Sequence, residues 1–249
     1  MDFRGKIAVV TGASTGIGRT TAEILAARGA HVILVARTES KLAKVQKAIA
    51  KKGGSAQVVP ADLRDLARIE ALAALVDKEH GGADVIVNAA GAWHDSEKEF
   101  KGPPLDKTPS DQIDYLFDIE LRATIHVCRA LLPAMKKRKG KRKGGKIVNL
   151  SCGFAGAHEA VGWVHYYVAN KAVSAFTEGL AAELRENDIQ VNAVGPWFVR
   201  SEAVLQFFPD QSETGLETED VAKLCVFLAS GEASHISGQT VEIRSRRDV

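Results

Sequence analysis

Two short stretches of the chain combine residue types that could carry chemistry. In YVANK, residues 167–171, Tyr167 and Lys171 stand four positions apart, so they would share one face of a helix. A phenol titrates at about pH 10 and exchanges protons poorly at neutral pH. A neighbouring ammonium group favours the phenolate and lowers the pKa of the phenol towards neutral pH. The pair therefore predicts an acid/base group that exchanges a proton with a substrate oxygen. Tyr166 has Asn170 at the same spacing and is the weaker candidate.

The second stretch is NLSCG, residues 149–153, where Ser151 and Cys152 follow an apolar run. A thiol donates hydrogen bonds more weakly than a hydroxyl. No motif places a histidine to activate Cys152 as a nucleophile. We expect Cys152 to orient the substrate oxygen as a weak donor. Ser151 is the alternative if the loop is shifted by one residue.

These residues must be positioned by the elements around them. Apolar, β-branched runs alternate with longer patterns whose apolar residues recur every three or four positions. The apolar runs lie at residues 6–11, 31–36, 57–59, 84–88, 146–151 and 190–194. Gly29 and Gly53 stand where two helices are expected to end. Strands that are apolar throughout, separated by helices, predict a doubly wound α/β fold with a parallel sheet covered on both faces. Ligands are expected at the carboxyl ends of its strands.

The first strand leads into a glycine-rich segment, TGASTGIG at residues 11–18, and then into a helix. Gly12, Gly16 and Gly18 would let the backbone turn tightly and approach a pyrophosphate. The free N–H groups at the helix N-terminus would meet its charge. The context of strand before and helix after predicts a dinucleotide site.

Four motifs occur in the order typical of one family: TGASTGIG, ADL at 61–63, NAAG at 88–91, and YVANK. From Lys6 to about Gln239 the chain resembles the short-chain dehydrogenase/reductase family. The resemblance implies a single Rossmann-type domain over residues 1–249 with about seven strands, a nicotinamide cofactor and a homo-oligomer, a tetramer or a dimer. The cofactor half would cover about residues 1–150, and the catalytic and substrate-binding half about residues 151–249.

The resemblance also implies roles for individual residues. Asp62 and Leu63 would hold the adenine, Val199 would meet the carboxamide, and Lys171 would hold the ribose. Together with the residues argued above, the expected cofactor contacts are Gly12, Ser14, Thr15, Gly16, Ile17, Gly18, Arg37, Asp62, Leu63, Asn88, Gly91, Tyr167, Lys171 and Val199.

The end of the second strand bears on the choice of cofactor. Relatives that use NAD commonly place an acid there, which accepts from the ribose 2′-hydroxyl. This chain has Ala36 followed by Arg37, whose forked cation suits a phosphate. The expected cofactor is therefore NADP, and NAD is the less favoured one.

Several positions depart from the family pattern. Cys152 replaces the second of two serines, and Glu120 stands where most relatives have an asparagine whose backbone holds a proton-relaying water. Glu120 could accept protons or pair with Lys171. Trp197 replaces a glycine beside the nicotinamide, and the C-terminal VEIRSRRDV lacks the usual glycine pair.

A group of aromatic and histidine residues is expected in loops near the carboxyl ends of the strands. They are Trp93, His94, His158, Trp163, His165, Trp197, Phe207 and Phe208. The interpretation is a pocket for an aromatic or apolar carbonyl or alcohol, and the alternative is scattered packing residues.

Composition excludes several other classes of protein. The formal net charge is +2, so no global field favours nucleic acid or a membrane. The three cysteines are far apart and have no metal-ligand spacing, which predicts neither disulfides nor a metal site. No leader or bilayer-length apolar run occurs, so we expect a cytoplasmic protein. The basic run KKRKGKRK, residues 136–143, is interpreted as a solvated loop, with a functional basic patch as the alternative.

The favoured hypothesis is an NADP(H)-dependent enzyme that moves hydride between the nicotinamide and a small carbonyl or secondary alcohol, with Tyr167, Lys171 and Cys152 as catalytic residues. The first alternative is a dinucleotide-binding sensor whose redox activity has decayed. The second is a lyase or isomerase that uses Tyr167 as its acid/base group.

Overall fold

The carboxyl ends of the strands form the edge at which the candidate site lies. A computed structural model of the chain describes residues 1–94, 99–100, 102–138, 143–153, 160–208 and 215–245. Seven parallel strands form one sheet in the order β3-β2-β1-β4-β5-β6-β7. The strands are β1 Ile7–Thr11, β2 His31–Ala36, β3 Ser55–Pro60, β4 Val85–Asn88, β5 Gly145–Leu150, β6 Ile189–Pro196 and β7 Thr240–Ile243. The predicted parallel α/β fold is confirmed.

The described helices connect these strands. They are α1 Gly16–Ala27, α2 Glu39–Lys51, α3 Leu66–His80, α4 Ser110–Leu116, α5 Ala123–Lys137, α6 Val164–Glu183, α7 Glu202–Phe207 and α8 Thr218–Leu228. A π-helical segment, Phe117–Arg122, joins α4 to α5, and single 3-10 turns cover Leu105–Lys107, Arg185–Asn187 and Gly231–Ala233.

Alternate strand residues feed two hydrophobic cores, one on each face of the sheet. Val32 and Leu34 of β2 belong to the core that includes residues of α1, α2 and α8, whereas Ile33 and Val35 belong to the core that includes residues of α3, α5 and α6. All four side chains are fully buried. Burial of such a side chain stabilises the fold by about 1.5–3 kcal/mol. The apolar runs of the sequence thus form strands because both faces of the sheet are covered.

Two glycines end helices where the sequence predicts. Gly29 follows α1 with φ of +95°, and Gly53 follows α2 with φ of +78°. A side chain on Cβ would strain this left-handed backbone, so glycine is favoured at both places.

The basic run is not a purely solvated loop, and that prediction is wrong for Arg138. Its side chain is 5% exposed and pairs with Asp84 at 3.2 Å. Arg138 also donates to the carbonyl oxygens of Ala83 and Gly144. The burial has a physical cause, because the Asp84 carboxylate accepts from the Ile7 N–H at the start of β1 and needs a cation beside it. Residues 139–142 lie outside the described residues.

Candidate active site

The phosphate-binding segment is shaped by very close backbone approaches. A Cβ atom on Gly12 would lie 2.4 Å from the Ala89 carbonyl oxygen, and one on Gly18 would lie 2.4 Å from the Gly12 carbonyl oxygen. A side chain is therefore impossible at either position without moving the backbone. Gly16, which begins α1, has φ of +52°. The segment can turn into α1 only because these residues are glycines.

The start of α1 presents N–H groups that no acidic residue of its own first turn accepts from. Thr15 caps the helix in an extended conformation, and its side chain makes no capping hydrogen bond. The first turn holds no acidic residue. Free N–H groups and the positive end of the helix dipole suit a phosphate. Ser14 and Ile17 are half-buried in the same segment, and Thr15 is exposed.

A cavity of about 450 Å³ opens beside this segment, between α1 and α2. It is lined by Ser14, Thr15, Arg19, Thr20, Glu23, Lys41, Lys44, Val45, Ala48 and Glu202. Arg19 is held by Glu202 at 2.7 Å. Lys41 and Lys44 bring two further cations to the wall formed by α2.

At the place expected to bind the adenosine of the cofactor, Asp62 forms an ion pair with Arg64. Asp62 is half-buried, and its carboxylate pairs with Arg64 at 2.6 Å. The hydrogen bonds from Arg64 lower the pKa of Asp62 against the effect of burial, and the charge of Arg37 adds a smaller effect in the same direction. Arg37 itself is exposed at the end of β2, and Leu63 is buried.

Thr11 fixes the loop after β4 against β1. Its hydroxyl oxygen accepts from the N–H groups of Ala89 and Ala90, each at 3.1 Å. Asn88, which begins the NAAG motif, is buried, and its amide donates to Asn149 at 2.9 Å. Asn88 therefore braces β4 against β5, whereas its direct contact with a cofactor stays a prediction.

Glu120 lies buried under the same loop. Its carboxyl group accepts from the Ala92 N–H at 2.7 Å, and a Cβ atom on Gly91 would lie 2.9 Å from both carboxyl oxygens. Burial raises the pKa of Glu120 to about 8, although hydrogen bonds from Ala92 and Asn170 oppose the shift. Among the described ion pairs, Lys171 pairs with Glu242 at 3.3 Å, and the pairing with Glu120, one of the two possibilities given for that residue, is not found.

Tyr167 and Lys171 lie on one face of α6, as their spacing predicts. The Lys171 ammonium lies 5.6 Å from the centre of the Tyr167 ring. Tyr166 and Tyr167 are both half-buried residues, and burial of the Tyr166 phenol above all raises its pKa well above the ordinary value. The charges of Glu120 and Cys152 act on Tyr166 in the same direction. The Tyr166 phenol is thus held in its neutral form.

Ser151 and Cys152 follow β5, and both are buried. Ser151 donates to the Asn170 carbonyl oxygen at 2.9 Å, and its hydroxyl lies 3.0 Å from that of Ser174. Cys152 lies close enough to Tyr166 for a thiolate to affect the phenol. The role of Cys152 towards a substrate oxygen stays a prediction.

The eight expected pocket residues fall into separate groups. Trp93 contacts the rings of His94, Phe207 and Phe208, with centroids 4.6, 5.4 and 5.9 Å apart. Phe198, which the sequence reasoning missed, joins this group through Phe208 at 6.4 Å. This aromatic cluster connects the loop after β4 to the end of α7.

The remaining members of the set lie elsewhere. Trp163 packs edge-on to Tyr166 at 5.7 Å, and the buried His165 lies 2.9 Å from the Gln112 amide nitrogen. Trp197 lies under the Arg244 guanidinium at 5.5 Å. His158 falls outside the described residues.

Two charged residues near the site were missed by sequence reasoning. Glu242 on β7 pairs with Lys171, and Arg244 just beyond β7 donates to the Gly153 carbonyl oxygen at 2.7 Å. Both lie in the C-terminal segment that lacks the usual glycine pair. The missing glycine pair was the one sequence feature that pointed to this segment. It did not predict that Glu242 contacts Lys171 or that Arg244 contacts Gly153.

Comparison with known proteins agrees with this architecture. A profile of the short chain dehydrogenase family matches residues 6–212. The 3-oxoacyl-(acyl-carrier-protein) reductase FabG of Vibrio harveyi is 30% identical, with 98% of this chain and 97% of the relative covered. The oxidoreductase UcpA of Salmonella typhimurium is 32% identical, with 94% and 91% covered.

A solved structure shows the same fold. L-sorbose reductase from Gluconobacter frateurii, complexed with NADPH and L-sorbose, superposes with a TM-score of 0.84 at 25% identity, and 98% of this chain and 96% of that one are covered. The chain belongs to the short-chain dehydrogenase family and is an enzyme of this oxidoreductase class. Among the described helices, none has the length and apolarity needed to cross a membrane.

Proposed function

We propose that the protein is an NADP(H)-dependent oxidoreductase that interconverts a small carbonyl compound and its secondary alcohol, with Tyr167 as proton donor and acceptor. The observation that carries the proposal is the shared face of Tyr167 and Lys171 on α6. A phenol beside an ammonium group is suited to proton transfer at neutral pH. Tyr166 is the poorer candidate, because its buried surroundings hold it in the neutral form.

The residues present fit a dinucleotide. The close backbone approaches at Gly12 and Gly18 make a tight turn into α1, and the first turn of α1 holds no acidic residue. Gly12, Ser14, Thr15, Gly16, Ile17 and Gly18 would hold the pyrophosphate. Asp62 and Leu63 would border the adenine, and Asn88, Gly91 and Val199 would line the nicotinamide side.

Three observations support NADP over NAD. The strand end carries Ala36 in place of an acid, and exposed Arg37 follows it. The nearby acid Asp62 is paired with Arg64. Lys41 and Lys44 face the cavity beside the phosphate-binding segment and add positive charge. NADPH is also the cofactor in the sorbose reductase complex.

Each catalytic residue would have a separate task. The nicotinamide supplies or accepts the hydride. Tyr167 would give a proton to the carbonyl oxygen during reduction and take it back during oxidation. Lys171 would stabilise the phenolate and hold the cofactor ribose. Cys152 would orient the substrate oxygen through a weak S–H hydrogen bond.

The aromatic cluster of Trp93, His94, Phe198, Phe207 and Phe208 suggests the nature of the substrate. It lies between the loop after β4 and the end of α7, on the side where the carboxyl ends of the strands open. Aromatic walls favour an apolar or aromatic carbonyl compound. We further propose a cytoplasmic homo-oligomer, a tetramer or a dimer, which light scattering of the purified protein would test.

The test is a screen of aldehydes, ketones and secondary alcohols, read by nicotinamide absorbance with each cofactor. Carbonyl-dependent oxidation of NADPH, faster than that of NADH, is the expected result. If NADPH binds tightly and no compound exchanges hydride with it, the decayed sensor is favoured. If a product forms while absorbance stays constant, a lyase or isomerase is favoured. Either result would overturn the proposal.

A further inference from the structure

Glu120 is a buried acid in a segment of unusual helical geometry. It belongs to the π-helical Phe117–Arg122 between α4 and α5, and its exposure is 7%. Such π segments frequently mark functional sites. The carboxyl group contacts the loop after β4 through the Ala92 N–H and the backbone of Gly91. It therefore supports the loop that carries a proposed nicotinamide contact.

On its other side the same carboxyl group reaches α6. The Asn170 carboxamide lies near enough to act on the pKa of Glu120 as a hydrogen-bond donor, and it donates to the Tyr166 carbonyl oxygen at 3.1 Å. Asn170 directly precedes Lys171 in the chain. The carboxyl group thus joins the loop after β4 to the turn of α6 that bears Tyr167 and Lys171.

The surroundings of Glu120 do not favour a charged carboxylate. Its described partners are a backbone N–H and a carboxamide, and none of the described ion pairs includes it. The Tyr166 phenol on α6 lies near Glu120, and the Cys152 thiol from the loop after β5 lies near Tyr166. Both become negative when they ionise, so neither would compensate a carboxylate. A buried anion without a cation is costly.

The other charged or titratable groups around the segment have different partners. Asp118 and Arg122 of the segment itself pair with each other at 2.5 Å. On α4, Tyr115 lies under the Arg64 guanidinium at 5.1 Å. His165 on α6 contacts Gln112, and His94 of the loop packs in the aromatic cluster. His126 on α5 is half-buried, and its Nδ1 has no partner among the described residues.

We propose that Glu120 acts as a neutral carboxylic acid in the role of a carboxamide, and that it is a positioning residue for the active site. A neutral carboxyl group accepts through its carbonyl oxygen and donates through its hydroxyl, as an amide accepts and donates. In this state it holds the loop after β4 and the catalytic turn of α6 in register. The inference rests on the proposed function, because it concerns the same site.

A pH dependence follows from the state of this proton. The pKa of Glu120 in the folded protein is about 8, above its ordinary 4.5. Below about pH 4.5 the folded and unfolded states both carry the proton, and burial costs nothing extra. Between 4.5 and 8 only the unfolded state releases it, so the free energy of unfolding falls as the pH rises. Above 8 the folded state also ionises, which leaves a buried negative charge without a cation between the loop after β4 and α6.

The test compares the unmodified protein with Glu120→Gln. The glutamine side chain keeps a hydrogen-bond acceptor and a donor at this position but has no proton that titrates. NADPH affinity, measured by fluorescence titration between about pH 6 and about pH 9.5, should fall with pH in the unmodified protein. The fall should approach about tenfold per pH unit above the pKa, the limit for one linked proton. Glu120→Gln should bind NADPH at neutral pH within about twofold of the unmodified protein and should lack this fall. Glu178→Gln, an exposed glutamate change on α6, is the matched control and should keep it.

Infrared difference spectra give a readout that needs neither binding nor turnover. The unmodified protein should show a protonated-carboxyl band at pH 7 that disappears as pH rises through about 8 and is absent from Glu120→Gln. A carboxylate at pH 7, or the same pH dependence of NADPH affinity in both proteins, would overturn the inference. A protein that shows the band but exchanges no hydride would contradict the proposed function alone. If Glu120→Gln fails to fold, the spectrum of the unmodified protein with uniformly labelled glutamate still decides.

Discussion

Lys171 on α6 and Glu242 on β7 form an ion pair, with 3.3 Å between Nζ and Oε1. Both side chains are partly exposed, at 34% and 40%. The lysine proposed to hold the cofactor ribose thus already has a partner. Exposed pairs of this kind contribute about 0.2–1 kcal/mol. A cofactor that engages Lys171 would have to compete with Glu242.

The first prediction follows from this competition. Glu242→Gln should tighten NADPH binding by about twofold to fivefold, because Lys171 is released from its partner. Equilibrium fluorescence titration measures the effect. Glu219→Gln, which removes an exposed glutamate from its pair with Lys223 on α8, is the control and should leave the affinity unchanged. Weaker binding in Glu242→Gln would mean that Glu242 positions Lys171 and does not compete for it.

The second prediction concerns the choice of cofactor. Arg37→Ala should reduce the preference for NADPH over NADH by roughly 1–3 kcal/mol, the range of a charge-assisted hydrogen bond to a phosphate. The dissociation constants of both cofactors give this difference directly. Arg68→Ala, on the exposed side of α3, should leave the preference unchanged. Equal affinities for the two cofactors in the unmodified protein would refute the assignment of Arg37.

The third prediction separates the roles open to Cys152. Cys152→Ser should preserve or raise turnover, because a hydroxyl is the stronger donor. Cys152→Ala should lose about 0.5–1.5 kcal/mol of transition-state stabilisation, comparable to one neutral hydrogen bond. Steady-state kinetics of the two variants measure both effects. A covalent role makes the opposite forecast, since Cys152→Ser would then be nearly inactive and a thiol-linked intermediate would accumulate.

The fourth prediction concerns the basic run. Arg138→Ser should lower the free energy of unfolding by about 3 kcal/mol, because the buried carboxylate of Asp84 loses its buried cation, and Lys6, at 3.5 Å, is partly exposed. Urea denaturation measures this loss. Lys136 and Lys143 form partly exposed pairs with Glu183 and Asp188, so Lys→Ser changes there should cost less than about 1 kcal/mol. Equal effects at the three positions would show that the burial of Arg138 does not matter.

Local signals in the sequence account for most of the fold. The apolar β-branched runs form the expected strands, because the helices cover both faces of the sheet. Gly29 and Gly53 end helices because only a residue that tolerates positive φ fits there. Helical periodicity was also sufficient to place Tyr167 and Lys171 on one face of α6.

These local sequence patterns could not predict contacts between segments that are distant in the chain. Glu120 meets the Ala92 N–H, 28 residues away, only because the π-helical segment and the loop after β4 come together in space. Lys171 and Glu242 are 71 residues apart and meet across α6 and β7. The burial of Arg138 depends on Asp84, which lies at the opposite end of the sheet from the site. Charge and spacing along the chain contain no information about such partners.

The proton-transfer role of Tyr167 is the central claim, and single-turnover hydride transfer in Tyr167→Phe tests it most directly. The change removes the hydroxyl and hardly alters the shape of the ring, so NADPH should still bind while hydride transfer slows by about a hundredfold or more. Tyr115→Phe, a tyrosine change on α4, is the matched control and should retain the rate. A Tyr167→Phe protein that binds NADPH and transfers hydride at the unmodified rate would contradict the account.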